Sequence, residues 1–454
     1  MRWWVNVNAG PDLAVRRGVL DVRRHRLDRL KQLHYAHKLV LSIIIVFGII
    51  AIILVLSQDE RTLKIESAYG AQDPRFAAYI TALLGVETTS GNEYTLLSNG
   101  DEFFPAMLDA IRNAKRRISF ETYIYEKGSV ADQFTAALSD AARRGVQVDL
   151  VVDAFGSNRM SEEHVEQLRQ AGARIGRFGK ANWYALDNLT YRTHRKILVV
   201  DGRIGFTGGA GVGDHWLGHA QDPDHWRDSM VRVTGPLARL MEGAFNENFV
   251  ETAGPVTPAV DPLQSPPPPE PHDAAFVLRS SSNTRSNDLK HFYLVAIGAA
   301  RHSLDICSPY FIVDESSEWA LRQAAARGVK IRVLVEGDHT DALPVKYASR
   351  EYYQKLMDLG IQIYEYQPTM MHTKAMIVDG TFGMFGSANF DNRSLEMNDE
   401  MNVGVSEPGF AQTLARDFER DLRLSRRLDA QTWQRRSPLE KAREYFWSFF
   451  GEVF

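Results

Sequence analysis

One cysteine, Cys307, stands among 454 residues, so the chain can close no internal disulfide and build no cysteine metal site. An H-E-x-x-H pattern is missing, as are a Cys/His cluster and a calcium-binding loop. No cofactor and no metal are therefore expected. A positive balance is missing too. Residues 1–38 hold nine Lys/Arg against three Asp, a net of +6, and since the whole chain carries −4 the rest carries −10. An acidic body argues against nucleic acid as a partner. Nor is there a basic stretch interleaved with aromatics to receive a single strand.

Charge is absent altogether from "LVLSIIIVFGIIAIILVLS", residues 39–57. At 1.5 Å per residue this run spans roughly 28 Å, about one hydrocarbon core. Its apolar stretch and its basic lead are both longer than those of a secretory signal. A single transmembrane helix is expected, anchoring the protein in the cell (inner) membrane. The basic lead places the N-terminus in the cytoplasm, and everything after residue 60 then lies on the far side.

The rest of the chain reads twice. "AKRRISFETYIY" (114–125) resembles "ARHSLDICSPYF" (300–311), and "RRGVQVDLVVD" (143–153) resembles "ARGVKIRVLVE" (326–336). Helical stretches alternate with strands, which predicts an α/β fold of two repeated lobes with mainly parallel sheets flanked by helices. The expected order is a basic segment (1–38), the membrane helix (39–57), a first lobe (65–253), a proline-rich linker (254–271), a second lobe (272–425) and an aromatic tail (426–454). The linker, "GPVTPAVDPLQSPPPPEP", has too much proline for helix or central strand.

In each half a strand carries the same polar triplet. "HRKILVVD" holds His194, Lys196 and Asp201, and "HTKAMIVD" holds His372, Lys374 and Asp379. Side chains at i and i+2 of a strand share a face. Ionisable groups on a core strand are costly unless they meet something. If the halves pack about a pseudo-two-fold axis, two imidazoles and two ammonium groups surround one point. That set suits a phosphate. The lysines neutralise its oxygens, one imidazole attacks phosphorus, and the other handles the alcohol proton. Gly-rich turns follow both triplets, "GFTGGAG" with Gly209 and "GMFGSANF" with Ser387 and Asn389. They allow close backbone approach to a phosphate. His215, His219, His225, His291, His302 and His339 read as surface or loop residues.

These paired motifs resemble the two HKD motifs of the phospholipase D superfamily. "FETYIYE" (120–126), "NLTYRTHRKILVVDGRIGFTGG" (188–209), "HWRDSMVRVTGP" (225–236) and "MHTKAMIVDGTFGMFGSANFDNRS" (371–394) are similar to bacterial cardiolipin synthases within it. The resemblance implies a bilobal fold with one site between the lobes. It also implies a phosphohistidine intermediate on His194 with His372 as acid and base, and phospholipid substrates, phosphatidylglycerol foremost. Glu121, Asp228 and Glu400 match acidic positions of the family, which orient the histidines or contact the headgroup. One departure stands out: Gly211 occupies the place that Asn389 fills in the second half. A phospholipase D-type hydrolase would need the same histidines, and a membrane-tethered nuclease or an inactive scaffold are further readings.

The tail "SPLEKAREYFWSFFGEVF" (437–454) predicts a helix starting near Ser437, with Pro438 in its first turn. Its aromatics either dock on the catalytic domain or hold the cleft against a bilayer.

Overall fold

The structure, a computed structural model, describes residues 35, 37–43, 45–48, 62–179, 191–255, 272–281 and 288–451. The chain divides into two compact units, Met1–Thr62 and Leu63–Phe454. In the first, residues 37–43 and 45–48 are helical, with Leu39, Val40 and Phe47 exposed. Residues 49–57 of the expected span lie outside the described residues, as do 1–34 of the basic segment and 256–271 of the linker. Among the described residues no helix is long and apolar enough to cross a membrane.

The second unit starts with α1 (Phe76–Leu84) and the short β1 (Thr88–Thr89). The first lobe follows: β2 (Glu93–Ser98), α2 (Gly100–Asn113), β3 (Arg117–Thr122), α3 (Ser129–Arg143), β4 (Gln147–Asp153), α4 (Glu162–Gln170), β5 (Arg174–Phe178), β6 (Ile197–Val200), β7 (Ile204–Gly208), β8 (Ser229–Thr234) and α5 (Leu237–Ala253). The second lobe runs β9 (Ala274–Arg279), α6 (Asp288–Ala299), β10 (Ser303–Cys307), α7 (Glu315–Ala326), β11 (Lys330–Val335), α8 (Leu343–Asp358), β12 (Gln362–Tyr366), β13 (Ala375–Val378), β14 (Phe382–Gly386), β15 (Met401–Ser406) and α9 (Pro408–Leu422). It closes with β16 (Ser425–Arg427), α10 (Ala430–Gln434) and α11 (Pro438–Ser448).

The repeat is visible in the strand orders. The first sheet reads β2-β8-β7-β6-β3-β4-β5, and the second contains β9-β15-β14-β13-β10-β11-β12 in the same sequence of equivalents. β1 and β16 extend the second sheet at its two edges. The sheets are mixed, not mainly parallel: β3, β4 and β5 pair in parallel, whereas β6, β7, β8 and β2 pair antiparallel. The reason is local. Each HKD strand turns back at an Asp-Gly pair with positive φ at both residues, Asp201 (54°) with Gly202 (66°) and Asp379 (52°) with Gly380 (65°). Two successive left-handed residues suit a tight hairpin, and Asp-Gly is the sequence that tolerates them best.

Boundaries also shift. α1 belongs to the second lobe, where Phe76 packs edge-on against Phe382 and β1 pairs with β9. The tail is joined to that lobe as well, through β16 on β12. In α2, Phe103, Met107, Leu108 and Ile111 recur at helical spacing and bury against the first sheet's outer face. A third core lies between the lobes. There Phe245 and Phe249 of α5 and Phe410, Leu414 and Phe418 of α9 join Ile197, Val199, Met371 and Ile377. This shared core fixes the two lobes against each other and brings the segments just before β6 and β13 together.

Candidate active site

His194 and Lys196 precede β6, and His372 and Lys374 precede β13, so neither pair lies within its strand. Their backbones are engaged across the lobe seam instead. The His194 N–H donates to Asp399 O (2.8 Å), and the His372 N–H donates to Arg227 O (2.7 Å). In return the Asp399 N–H donates to Arg192 O (2.8 Å) and the Arg227 N–H to Met370 O (2.9 Å). Two short parallel bridges, Thr193 with Asp399 and Arg227 with Met371, thus clasp both histidines from the opposite lobe.

The side chains cross in the same way. His194 Nδ1 donates to Glu400 of the second lobe at 2.9 Å, and His372 Nδ1 donates to Asp228 of the first at 2.7 Å. A carboxylate on Nδ1 fixes the tautomer and leaves Nε2 available for chemistry. Each lysine turns back on its own motif: Lys196 Nζ donates to His194 O (2.8 Å) and Lys374 Nζ to His372 O (2.6 Å). His194, Lys196 and His372 line one cavity of about 220 Å³, together with Tyr123, Arg192, Trp216, Trp226, Asn389, Arg393 and Asn398.

The two halves of the site differ in support. Glu400 also accepts from the Ser387 hydroxyl (2.5 Å). Burial alone would raise its carboxyl, but His194 and Lys196 outweigh that and hold it below the usual carboxylate range. Asp228 accepts from Trp216 Nε1 (3.0 Å) and from the Ser229 N–H (2.8 Å). Here burial wins over the nearby Lys374 and pushes the carboxyl up to about 6. Burial lowers His194 to about 4 and His372 well below its ordinary value, the lysines adding to the shift. It also lowers Lys196 to about 7 and Lys374 to about 8. The centre therefore resists further positive charge and favours an anion.

Other expected residues take different places. Asp201 accepts from the N–H groups of Lys115, Arg116 and Arg117, and Asp379 from those of Arg301, His302 and Ser303. A four-residue strand separates each from its histidine. They pin a hairpin to the preceding helix–strand junction and lie outside the catalytic cavity. Glu121 is buried behind the clasp, accepting from Thr193 Oγ1 (2.5 Å) and Asn248 Nδ2 (2.8 Å). Gly209 makes room: a Cβ there would sit 2.4 Å from Asp228 Oδ1 and 2.6 Å from His372 O. Asn389 does line the cavity, with its Oδ1 buried and without a donor among the described residues.

Sequence reasoning missed the aromatic wall. Trp216 and Trp226 lie 5.6 and 5.4 Å from the His372 ring, and His215, expected at the surface or in a loop, packs at a tilt against both indoles. Tyr123 packs edge-on to His194 at 5.0 Å. Gly211 carried the available signal. A Cβ there would meet Ile124 O at 2.9 Å, Ile124 Cβ at 3.0 Å and Trp216 at 3.3 Å, so Ile124 and the indole together leave no room for a side chain like Asn389.

The family description "Cardiolipin synthase, PLD-like domain" matches residues 107–242 and 293–422, one segment in each lobe. The chain belongs to this phospholipase D-like family. It is 30% identical to the probable cardiolipin synthase YwiE of Bacillus subtilis, over 84% of this chain and 76% of that protein. It is 33% identical to cardiolipin synthase 2 of Bacillus anthracis, over 76% of this chain and 70% of that one. Among solved structures, the phosphatidylserine synthase of Haemophilus influenzae superposes with a TM-score of 0.65 at 14% identity, covering 84% of this chain and all of that one, which is a likeness of fold.

Proposed function

We infer that this family member is a phosphatidyltransferase that condenses two phosphatidylglycerol molecules into cardiolipin and glycerol. The observation that carries it is the crossed pairing: each imidazole is held at Nδ1 by the other lobe's acid, beside two lysines. A phosphodiester between Lys196 and Lys374 offsets their charge and so restores proton affinity to His372. His194, paired with an ionised carboxylate, is the more electron-rich ring and attacks phosphorus through Nε2. The bond from phosphorus to the glycerol oxygen breaks, and His372 gives that oxygen its proton. A hydroxyl of a second phosphatidylglycerol then yields its proton to His372 and attacks phosphorus. The phosphorus–nitrogen bond breaks and His194 is regenerated. The lysines stabilise the charge that builds on the non-bridging oxygens, the role a metal ion would otherwise fill.

The lipid substrates place the protein at a membrane. Residues 39–57 supply a span with the N-terminus cytoplasmic and the catalytic lobes on the far side, and the outward aromatic face of α11, flanked by Lys441 and Arg443, rests on the bilayer surface.

Labelled phosphatidylglycerol in detergent tests the reaction. Cardiolipin and glycerol are expected in equal amounts. Phosphatidic acid as the main product would favour the hydrolase reading instead. His194→Ala and His372→Ala should each cut transfer by on the order of a thousandfold or more while the protein stays folded. Near-full activity in either would overturn the shared site.

A further inference from the structure

The histidine–lysine centre accounts for one phosphate, yet a reaction between two phospholipids brings two. The cavity has a second cationic element. Arg192 comes from the first lobe, two residues before His194, and its carbonyl is fixed by the Asp399 N–H. Arg393 comes from the second lobe, at the start of the π-helical turn Arg393–Met397. Both line the same cavity as the histidines, and both are half-buried. Both guanidiniums also act on one group: they oppose the burial-driven rise of the Tyr123 phenol, whose ring packs on His194. The two arginines thus reach one cavity from different lobes.

The same cavity also holds polar oxygens that meet no donor among the described residues. Asn389 and Asn398 are 5% and 6% exposed, line the cavity, and each has a side-chain oxygen that no donor among the described residues meets. Buried acceptors are nearly always paired, so two orphans in one cavity point to donors that arrive with a ligand. Of the acids in the cavity, Asp391 accepts from the Ser394 N–H (2.7 Å) with Arg393 acting to lower its carboxyl, and Asp341 accepts from the Tyr310 hydroxyl (2.5 Å). Ligand pockets for drug-sized molecules run roughly 300–1,000 Å³. At about 220 Å³ this one suits a headgroup and leaves acyl chains outside.

We propose that Arg192 and Arg393 form a second phosphate subsite, which holds the phosphodiester of the acceptor lipid while Asn389 and Asn398 receive its glycerol hydroxyls. The proposal rests on the transferase reading. A planar guanidinium fork matches two phosphate oxygens, and charge-assisted bonds of this kind are the strong ones. An anchored second phosphate holds the acceptor hydroxyl near the phosphohistidine. Water and free glycerol lack that handle. The subsite thus selects a phospholipid acceptor over smaller alcohols, and it contributes nothing to the first half-reaction.

The experiment compares two reactions of the full chain in mixed micelles. One is cardiolipin formation from phosphatidylglycerol. The other is exchange of labelled free glycerol into phosphatidylglycerol, which reversal of the first half-reaction requires. With Arg192→Gln or Arg393→Gln, cardiolipin formation should fall about tenfold or more, as loss of a charge-assisted contact implies, while exchange stays within about twofold. Arg192→Lys should recover part of the loss. Retained exchange shows that each variant is folded. If both reactions fall together, or neither falls, the subsite is wrong. If the unmodified protein makes phosphatidic acid with neither cardiolipin nor exchange, the transferase reading itself fails.

Discussion

Trp216 connects a single substitution in the repeat to the chemistry of the site. Its N–H is one of three protein donors on Asp228, beside the Ser229 N–H and His372 Nδ1, and its ring lies next to Gly211. Trp216→Phe keeps most of the ring and removes the N–H. A hydrogen bond to a charged group contributes about 1.5–3 kcal/mol. Without it the Asp228 carboxyl should rise further above about 6, and its hold on the His372 tautomer should weaken. The expected result is a lower kcat and an acid limb of the pH profile moved to higher pH. A drop in activity with no movement of the limb would make the indole a packing group only. In the unmodified protein, attack needs neutral His194, which holds above about pH 4. Phosphate binding needs charged lysines, which holds below about 7 for Lys196 and about 8 for Lys374. Free-enzyme kcat/KM should therefore fall on both sides of that window, with limbs that belong to the coupled cluster and not to one residue. An alkaline limb only above pH 10 would contradict the depressed lysines.

Hairpins and clasps explain why one part of the triplet was legible and another was not. His194 with Lys196, and His372 with Lys374, were readable because spacing two along an extended segment puts them on one side. Asp201 and Asp379 repeat with equal fidelity for a different reason. Each begins a left-handed turn and caps three backbone N–H groups of a neighbouring element. Sequence repetition does not separate a conserved turn from a conserved reaction within one chain, since both recur in both lobes. Removing those carboxylates should leave turnover per folded molecule nearly unchanged. Asp379→Ala should cost about 1–3 kcal/mol, the price of leaving buried donors unmet, and Asp201→Ala less because its site is more exposed. Thermal melts beside active-site titration decide this; loss of kcat at unchanged Tm would return both aspartates to the chemistry. The sheets were misread for the same reason, since the Asp-Gly signal lay inside a motif already assigned to catalysis.

At the scale of the whole molecule, the crossed acids make each lobe incomplete alone, and partner choice across the seam is invisible in sequence order. Two buried arginines of the first lobe fix that seam. Arg195 donates to the carbonyls of Ser280 (2.6 Å) and Glu400 (3.3 Å), and Arg227 donates to Asp417 (2.6 Å) and Asp421 (3.0 Å) of α9. The tail is part of this body too. α11 begins at a capping box on Ser437 and packs on α8, where buried Glu444 accepts from Arg350 (3.0 Å) and pairs with Arg436. Docking, one of the two expectations for the aromatic tail, is thus met by one face. The other face leaves Leu439, Tyr445, Phe446 and Phe449 exposed. Arg443 of the same helix donates to the hydroxyl of Tyr347 on α8, the helix that also carries cavity-lining Val345. Cutting the chain after Arg436 would strip both faces and leave Arg350 with Glu365 but without Glu444, so it cannot separate them. Phe446→Ser combined with Phe449→Ser changes only the outward face, where substitutions shift stability by about 0.5 kcal/mol or less each. With bilayer contact there, the double variant should keep its melting temperature and its activity in mixed micelles while losing activity on phosphatidylglycerol vesicles. Unchanged vesicle activity would leave the aromatic face without a role at the membrane.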